Sequence, residues 1–403
     1  MPDSTPEPML DFLKSAMSRR GFLRTSAVGG ALAGTGLLAA CSTGPAATPA
    51  ASNQAATDMS DTEKIVNFSN WQLYMDTDAK ITTKHPTIDA FLAQTGITIN
   101  YTEDIADNES FYAKIAPLLR NGQDTGRDLM ALTDWMASRL IRQGFIQKRD
   151  KANTPNIDAN LIASLKSPSW DPTRDHSAPW QSGVTGIAYN AKLVPEVKDI
   201  NELLTRPDLK GRIAVLTEMR DTIGMLLLQA GKDPAKFTDD DFNAAIATLQ
   251  SAVDAGQIRK FTGNEYSQGL SKGDLAACMA WSGDVVQLQA DNPNLKFVSP
   301  PAGIMIWADN MLIPNMAKHK KNAEKVMNYY YDPKVAAQVA AYVQYICPVE
   351  GAQQEMEKID PKLASNPLIF PTSDFLKNTH LFMGLTTDQE SRYNAAFNKV
   401  RGA

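Results

Sequence analysis

The sequence has few of the residues from which metal centres and disulfide frameworks are built. It contains 3 cysteines and 4 histidines in 403 residues, and the histidines stand far apart, not at the spacing of paired metal ligands. We therefore expect neither a metal nor another cofactor. Cys278 and Cys347 lie in apolar stretches, which favours two buried thiols over a disulfide.

The sequence also lacks an excess of positive charge and familiar catalytic motifs. Its 40 lysines and arginines are outnumbered by 45 aspartates and glutamates, for a formal net charge of −5, so we expect no nucleic-acid partner. There is no H-E-x-x-H motif, and we predict no serine-hydrolase nucleophile elbow. The expectation is a protein that is not an enzyme, although paired carboxylates leave a glycosidase-type enzyme as an alternative.

The first sixty residues predict export and attachment to a membrane. The run Ser18–Arg24 reads S-R-R-G-F-L-R and precedes a Gly-rich apolar segment, an arrangement typical of a twin-arginine export signal and too short for a spanning helix. Leu38-Ala39-Ala40-Cys41 then resembles a lipoprotein processing site, and an ordinary signal peptide with a chance cysteine is the alternative. We predict a signal through lipidated Cys41 (residues 1–41), a flexible tether (42–61), and a location in the periplasm or on the cell surface.

From residue 62 onward, short apolar strands alternate with amphipathic helices, which predicts an α/β body. This body is long enough to form two domains. Ligands of such folds bind at the carboxyl ends of the strands or in a cleft between lobes. Residues that follow the predicted strands are therefore the candidates for a binding site.

Aromatic and carboxylate side chains recur at these strand ends. The candidates are Trp71, Gln72, Tyr74, Thr133, Trp135, Glu218, Asp221, Trp281, Trp307 and Asp309. Carboxylates offset the cost of desolvating an ammonium group, and aromatic faces attract the same charge. The set therefore suits a ligand that is cationic and partly apolar.

Several of these residues also have a purely structural interpretation. Asp221 and its counterpart Asp134 stand where helices are predicted to begin, so either could be a helix N-cap or a favourable charge in the first turn. Asp284 is interpreted as a cap or surface residue and not as a ligand. Trp307 and Asp309 are predicted to precede a buried strand, with both side chains on the same side.

Four segments resemble one family of transport proteins. Phe68–Tyr74, Gly183–Asn190, Ile306–Pro314 and the helix start at Pro333–Ala340 are similar to the spermidine/putrescine-binding proteins of ABC importers. The resemblance implies a two-lobed periplasmic-binding-protein fold of type II, with hinge strands and a ligand cleft between the lobes. It places residues 62–184 and 309–354 in lobe 1, and residues 185–308 and 355–403 in lobe 2.

The resemblance also implies a role for each candidate. Trp71 and Tyr74 would stack on polyamine methylenes, and Trp281 and Trp307 would contact the same methylenes from the other side. Asp309 would hold an inner amine. The remaining matched positions would supply an acid for an ammonium group (Asp221), a neighbouring acid (Glu218) and a hydroxyl (Thr133).

The chain departs from the family pattern at three places. Trp135 stands where the family often has Tyr, Gln72 stands where it often has Thr, and the stretch 380–384 supplies no equivalent of the family's C-terminal amide. The implied function is a monomeric receptor that captures a polyamine and delivers it to a permease with its ATPase. The alternatives are a receptor of the same fold for thiamine, a quaternary amine, an amino-acid-like cation or a metal complex, and a receptor that signals without feeding a transporter.

Overall fold

Two groups of parallel strands, joined by two antiparallel crossing strands, form a mixed sheet in the computed structural model, which describes residues 55–78, 80–81 and 83–402. The strands within these residues are β1 (Ile65–Trp71), β2 (Thr98–Ile105), β3 (Leu129–Thr133), β4 (Ser177–Asn190), β5 (Ile213–Leu216), β6 (Ile258–Thr262), β7 (Ala277–Trp281), β8 (Leu295–Val298), β9 (Ile304–Leu312) and β10 (Thr379–His380). Their order is β2-β1-β3-β9-β4-β7-β5-β6, with β8 beside β4 and β10 beside β9.

The crossing strands β4 and β9 connect the two parallel groups. Strand β9 pairs antiparallel with β3 of the first group, and β4 pairs antiparallel with β7 of the second. The two strands also pair with each other from Ser177–Leu312 to Thr185–Met305. All 14 residues of β4 are buried, because both faces of this central strand are covered by other elements.

Helices cover the faces of the sheet, and several have clear capping residues. The helices are α1 (Pro86–Thr95), α2 (Asn108–Arg120), α3 (Asp134–Arg142), α4 (Pro155–Asn160), α5 (Ile200–Thr205), α6 (Met219–Gln229), α7 (Asp239–Asp254), α8 (Tyr266–Lys272), α9 (Ser282–Asp291), α10 (Lys320–Tyr329), α11 (Pro333–Val343), α12 (Ala352–Ile359), α13 (Pro361–Ala364), α14 (Ser373–Leu376) and α15 (Thr387–Arg401). Reciprocal capping boxes begin α7, between Thr238 and Asp241, and α15, between Thr386 and Gln389. None of the helices within the described ranges is long and apolar enough to cross a membrane.

The packed body begins slightly before the predicted boundary at residue 62. The backbone N–H of Met59 donates to the carbonyl of Lys318 (2.7 Å), and the Ser60 hydroxyl accepts from the N–H of Asn322 (3.1 Å). Ser60 is fully buried by this contact. The last residues assigned to the tether are therefore packed against α10, while the predicted signal, Cys41 and residues 42–54 lie outside the described residues.

The two cysteines of the body are free and buried, which confirms their interpretation as thiols. Cys278 lies in β7 and Cys347 follows α11. Burial raises the pKa of both thiols, that of Cys347 to about 12. Neither thiol is therefore a ready nucleophile at neutral pH.

Candidate ligand-binding site

A cavity of about 680 Å³ lies where the carboxyl ends of β1, β3, β5 and β7 meet. Trp71, Thr133 and Trp281 are the last residues of three of these strands. All ten candidates from the sequence line this cavity, although they come from segments more than 200 residues apart in the chain. The volume falls in the usual range of small-molecule pockets.

Five aromatic rings form one side of the cavity. The ring of Trp71 meets Trp281 at a centroid distance of 6.1 Å, and Trp281 meets Trp307 at 6.2 Å, both nearly edge to face. Tyr345 links Trp307 (5.6 Å) to Tyr74 (5.0 Å). Each ring therefore restrains its neighbour in a favourable geometry, and we call this continuous set the aromatic wall.

Hydrogen bonds from the indole N–H groups fix the tryptophans of this wall. Trp71 donates to the carbonyl of Ala131 (3.0 Å), and Trp307 donates to the hydroxyl of Thr185 (3.0 Å). Trp281 donates to the carboxylate of Asp221 (2.9 Å). With their polar edges occupied in this way, the rings offer apolar faces and edges to the cavity.

Asp309 is a buried acid beside the aromatic wall. One carboxylate oxygen accepts from the Thr133 hydroxyl (2.7 Å) and the other from the Tyr74 hydroxyl (2.9 Å). Burial, with smaller contributions from the charges of Asp134 and Asp221, raises the pKa of Asp309 to about 7. Two neutral donors thus orient this carboxylate without neutralising it.

Asp221 and Glu218 supply two more carboxylates from the start of α6. Asp221 accepts from Trp281 and from the Thr185 hydroxyl (2.9 Å), and burial raises its pKa to about 6. Glu218 accepts from the backbone and side-chain N–H groups of Asn108 (3.3 and 3.0 Å). Burial raises its pKa as well, with the charges of Asp107 and Asp221 adding to the effect.

Neither of these two acids nor Asp309 forms a salt bridge within the part of the chain that the structure describes. Their ionised forms are costly because burial removes water without supplying a salt bridge, although the charge of Arg220 offsets part of this cost for Asp221 and Glu218. A cationic group placed among them would favour ionisation of all three. The site is therefore electrostatically suited to an amine.

The predicted position of Trp307 and Asp309 before a strand is wrong. Both lie within β9, where Asp309 pairs with Thr133 of β3 on one side and Gln181 of β4 on the other. Residues two apart in a strand share a face, so both side chains still reach the same cavity. The Trp-Ala-Asp segment belongs to a crossing strand, and alternating polar residues concealed its strand character.

The prediction for Asp284 also needs correction. Asp284 is neither a surface residue nor a cap, because it is 2% exposed and accepts from Tyr266 (2.7 Å), Tyr345 (2.7 Å) and Asn264 (2.9 Å). Asp134 is the first-turn acid of α3, as one of its two interpretations predicted, and it also accepts from the Asn310 side chain (2.7 Å). Both carboxylates hold neighbouring residues in place around the cavity.

Three lining residues were missed by sequence reasoning. Tyr345 belongs to the aromatic wall but follows α11 in an irregular segment. Arg220 and Glu390 form a salt bridge (2.7 Å), and the Arg220 guanidinium lies 3.8 Å from the centroid of the Trp135 ring. No local pattern marks any of the three, because each reaches the cavity through long-range packing.

The C-terminal stretch 380–384 contributes apolar groups. Leu381, Phe382 and Met383 line the cavity, whereas His380 pairs with β9 and is not among the lining residues. Gln72 is exposed at the rim and Trp135 is half-buried. This stretch therefore supplies no side-chain amide in place of the one that the family has near its C-terminus.

Two observations bear on catalytic and metal chemistry. The run Gly269–Gly273 matches G-x-S-x-G, but its Ser271 is exposed near the end of α8 and not on a strand-to-helix turn. Within the described ranges, no group of three or more His, Cys, Asp or Glu side chains is arranged to hold a metal ion. Neither feature supplies an active site.

Comparison with known proteins identifies the family to which this chain is related. A family model described as a bacterial extracellular solute-binding protein matches residues 87–372. A spermidine/putrescine-binding periplasmic protein of Escherichia coli K12 is 27% identical over 321 residues, which cover 79% of this chain and 86% of that protein. A putrescine-binding periplasmic protein of the same strain is 27% identical over 333 residues, 77% of this chain and 84% of that protein.

A solved structure gives the same result for the fold. A protein of Listeria monocytogenes superimposes with a TM-score of 0.73 at 25% identity, covering 84% of this chain and 99% of that one. This likeness confirms the predicted two-lobed α/β fold of type II. The family model matches well over half of this chain, and the chain therefore belongs to the bacterial extracellular solute-binding proteins.

Proposed function

We propose that this protein captures a polyamine of the spermidine/putrescine class in the cavity between its lobes. The observation that carries the proposal is the arrangement of Asp309, Asp221 and Glu218, which form no salt bridge within the described residues and lie beside the aromatic wall. Carboxylates pair with ammonium groups, while aromatic faces cover the methylenes and attract the charge. The names of the two Escherichia coli relatives support the same ligand class.

Capture requires closure of the lobes and involves no chemical step. Contacts across the cavity, such as Asn108 with Glu218 and Trp71 with Trp281, join residues from the two parallel strand groups. A ligand that contacts both groups favours the closed form by its differential affinity for that form. Strands β4 and β9, which cross between the groups, are the natural hinge.

The proposal extends to delivery and location. The closed protein would dock as a monomer on an ABC permease, with one lobe contacting each of the paired subunits. Export by the twin-arginine signal, a lipid on Cys41 and the tether after it would hold the receptor at the membrane and raise its concentration near the permease. The predicted lobe boundaries are part of this proposal.

Calorimetric titration of the purified protein tests the ligand class. We expect micromolar or tighter binding of putrescine, spermidine or spermine, lost in Asp309→Asn and Trp307→Ala. Choline and thiamine are the matched comparisons, because quaternary nitrogen attracts aromatic faces but offers no N–H to a carboxylate. Binding of choline or thiamine without any polyamine would refute the proposed ligand, and binding of no cation would refute capture.

A further inference from the structure

Arg220 is one of three arginines, with Arg142 and Arg174, that line the same cavity as the buried acids. Its side chain is about nine-tenths buried, stacked on the Trp135 ring, with Phe382 further away at 6.0 Å. Its Nη2 donates to Glu390 (2.7 Å). Within the described part of the chain, Nε is buried without a partner and Nη1 makes no hydrogen bond.

The charge on Arg220 is offset by more than one acid. Its partner Glu390 also accepts from Arg139 (3.1 Å) and lies 3.6 Å from Arg142. The carboxylate of Glu218 also acts on Arg220, and Glu109 is held by Arg139 in a bidentate pair. The three guanidinium groups and these three carboxylates together carry no formal excess of charge.

The cavity thus presents two unlike regions to one ligand. Asp309, Asp221 and the aromatic wall suit an ammonium group and its methylenes, whereas Arg220 offers an N–H donor. A guanidinium has donors but no acceptor. An ammonium group at Arg220 would meet a like charge and find no hydrogen-bond acceptor on that side chain.

We propose that the preferred ligand is an N-acylated amine, with its ammonium group at Asp309 and its neutral carbonyl oxygen accepting from Nη1 of Arg220. The inference rests on the proposed function and narrows its ligand class. A neutral carbonyl suits Arg220 better than a carboxylate does, because Glu390 already supplies a negative partner and the nearby acids repel another. Arg220 is thus a specificity-determining residue.

Three linear ligands test this assignment by calorimetry. Putrescine ends in a second ammonium group after four carbons. N-acetylputrescine has an amide carbonyl carbon as the sixth atom from its ammonium nitrogen, and 6-aminohexanoate has a carboxylate carbon at that same position. We expect N-acetylputrescine to bind about tenfold or more tightly than putrescine, the usual effect of one hydrogen bond to a charged donor. Arg220→Gln should remove this preference by weakening N-acetylputrescine alone.

Arg392→Gln on α15 is the matched control, since Arg392 is half-exposed and does not line the cavity; its ligand preference should equal that of the wild type. If Arg220→Gln does not fold, the relative affinities of the wild-type protein for the three ligands test the inference. Putrescine binding as tightly as N-acetylputrescine would overturn the inference and leave the proposed function intact. Tighter binding of 6-aminohexanoate than of N-acetylputrescine would overturn the neutral carbonyl, and binding of no amine, spermidine included, would overturn both proposals.

Discussion

Replacing Asp309 by asparagine is expected to stabilise the ligand-free protein at neutral pH. Burial and two neighbouring acids raise the pKa of Asp309 to about 7, against an ordinary value of 3.8. Between these two pH values the folded protein keeps a proton that the unfolded chain releases, so the free energy of unfolding falls as pH rises. The acid therefore costs stability above about pH 4, and the cost reaches its full size near pH 7.

The magnitude follows from the two pKa values. Each pH unit between them corresponds to about 1.4 kcal/mol, which gives an upper limit of about 4 kcal/mol at pH 7 and above. Asparagine keeps one carbonyl oxygen for Thr133 or Tyr74 but disturbs the other hydrogen bond, a loss of about 1 kcal/mol. The net effect should be a gain of about 2–3 kcal/mol at pH 8 and a loss of about 1 kcal/mol near pH 4, where only the hydrogen-bond loss remains.

The same substitution should weaken polyamine binding. An uncharged amide in place of the carboxylate removes a charge-assisted hydrogen bond, which contributes about 1.5–3 kcal/mol, or roughly a 10-fold to 150-fold change in Kd. If the role of the acid is to bind the ligand, its replacement should increase the stability of the protein and weaken binding. An acid placed for structure would lose stability when replaced.

Denaturant unfolding at pH 4 and pH 8, together with calorimetry, measures both effects. Asp274→Asn is the matched control, because Asp274 is exposed in the turn before β7 and lies away from the cavity. It should change neither quantity. Loss of stability at pH 8 in Asp309→Asn, or a change of the same size at both pH values, would refute the electrostatic reasoning.

Three further predictions concern the packing of the site and the body. Gly183→Ala places a methyl group 2.6 Å from the Trp307 ring, so the ring must move. We therefore expect calorimetry to show polyamine binding at least tenfold weaker. Unchanged binding would show that the ring position is not critical. Tyr345→Phe removes the 2.7 Å hydrogen bond to Asp284 and should lower the free energy of unfolding by about 1–2 kcal/mol in urea melts, whereas no loss would refute a structural role for that bond. In a Cys41→Ser background, the two buried thiols should react with a thiol reagent only as fast as the protein unfolds, and rapid labelling under native conditions would contradict their burial.

Local pattern was sufficient to predict most elements of the fold. The helix start identified at Pro333–Ala340 begins α11 in the structure, because Asp332 caps that helix and Pro333 is its first residue. The continuous apolar run Ala277–Trp281 forms strand β7. These elements form where propensity, capping and hydrophobic pattern agree.

Crossing strands and buried polar networks could not be predicted in the same way. Strand β9 contains Trp307, Asp309 and Asn310 because both of its neighbours and the cavity satisfy those side chains. Asp284 has the local pattern of a first-turn acid, yet three donors from distant segments bury it. Such partners are set by tertiary structure, which short-range periodicity does not encode.

The candidate site was predictable where a residue type and a strand end coincided. Trp71 and Trp281 end strands β1 and β7, and both line the cavity. Arg220 stands next to Asp221 in the chain but was overlooked, since an arginine did not fit the cationic ligand that the acids indicated. Its stacking on Trp135 is visible only in three dimensions.

A crystal structure of the protein grown with spermidine and N-acetylputrescine in separate experiments tests the central claim most directly. We predict that an amine nitrogen lies about 2.7–2.9 Å from a carboxylate oxygen of Asp309, with methylenes against Trp307 and Trp281. A ligand bound outside the cavity, or one whose nitrogens face water and away from these acids, would contradict the account.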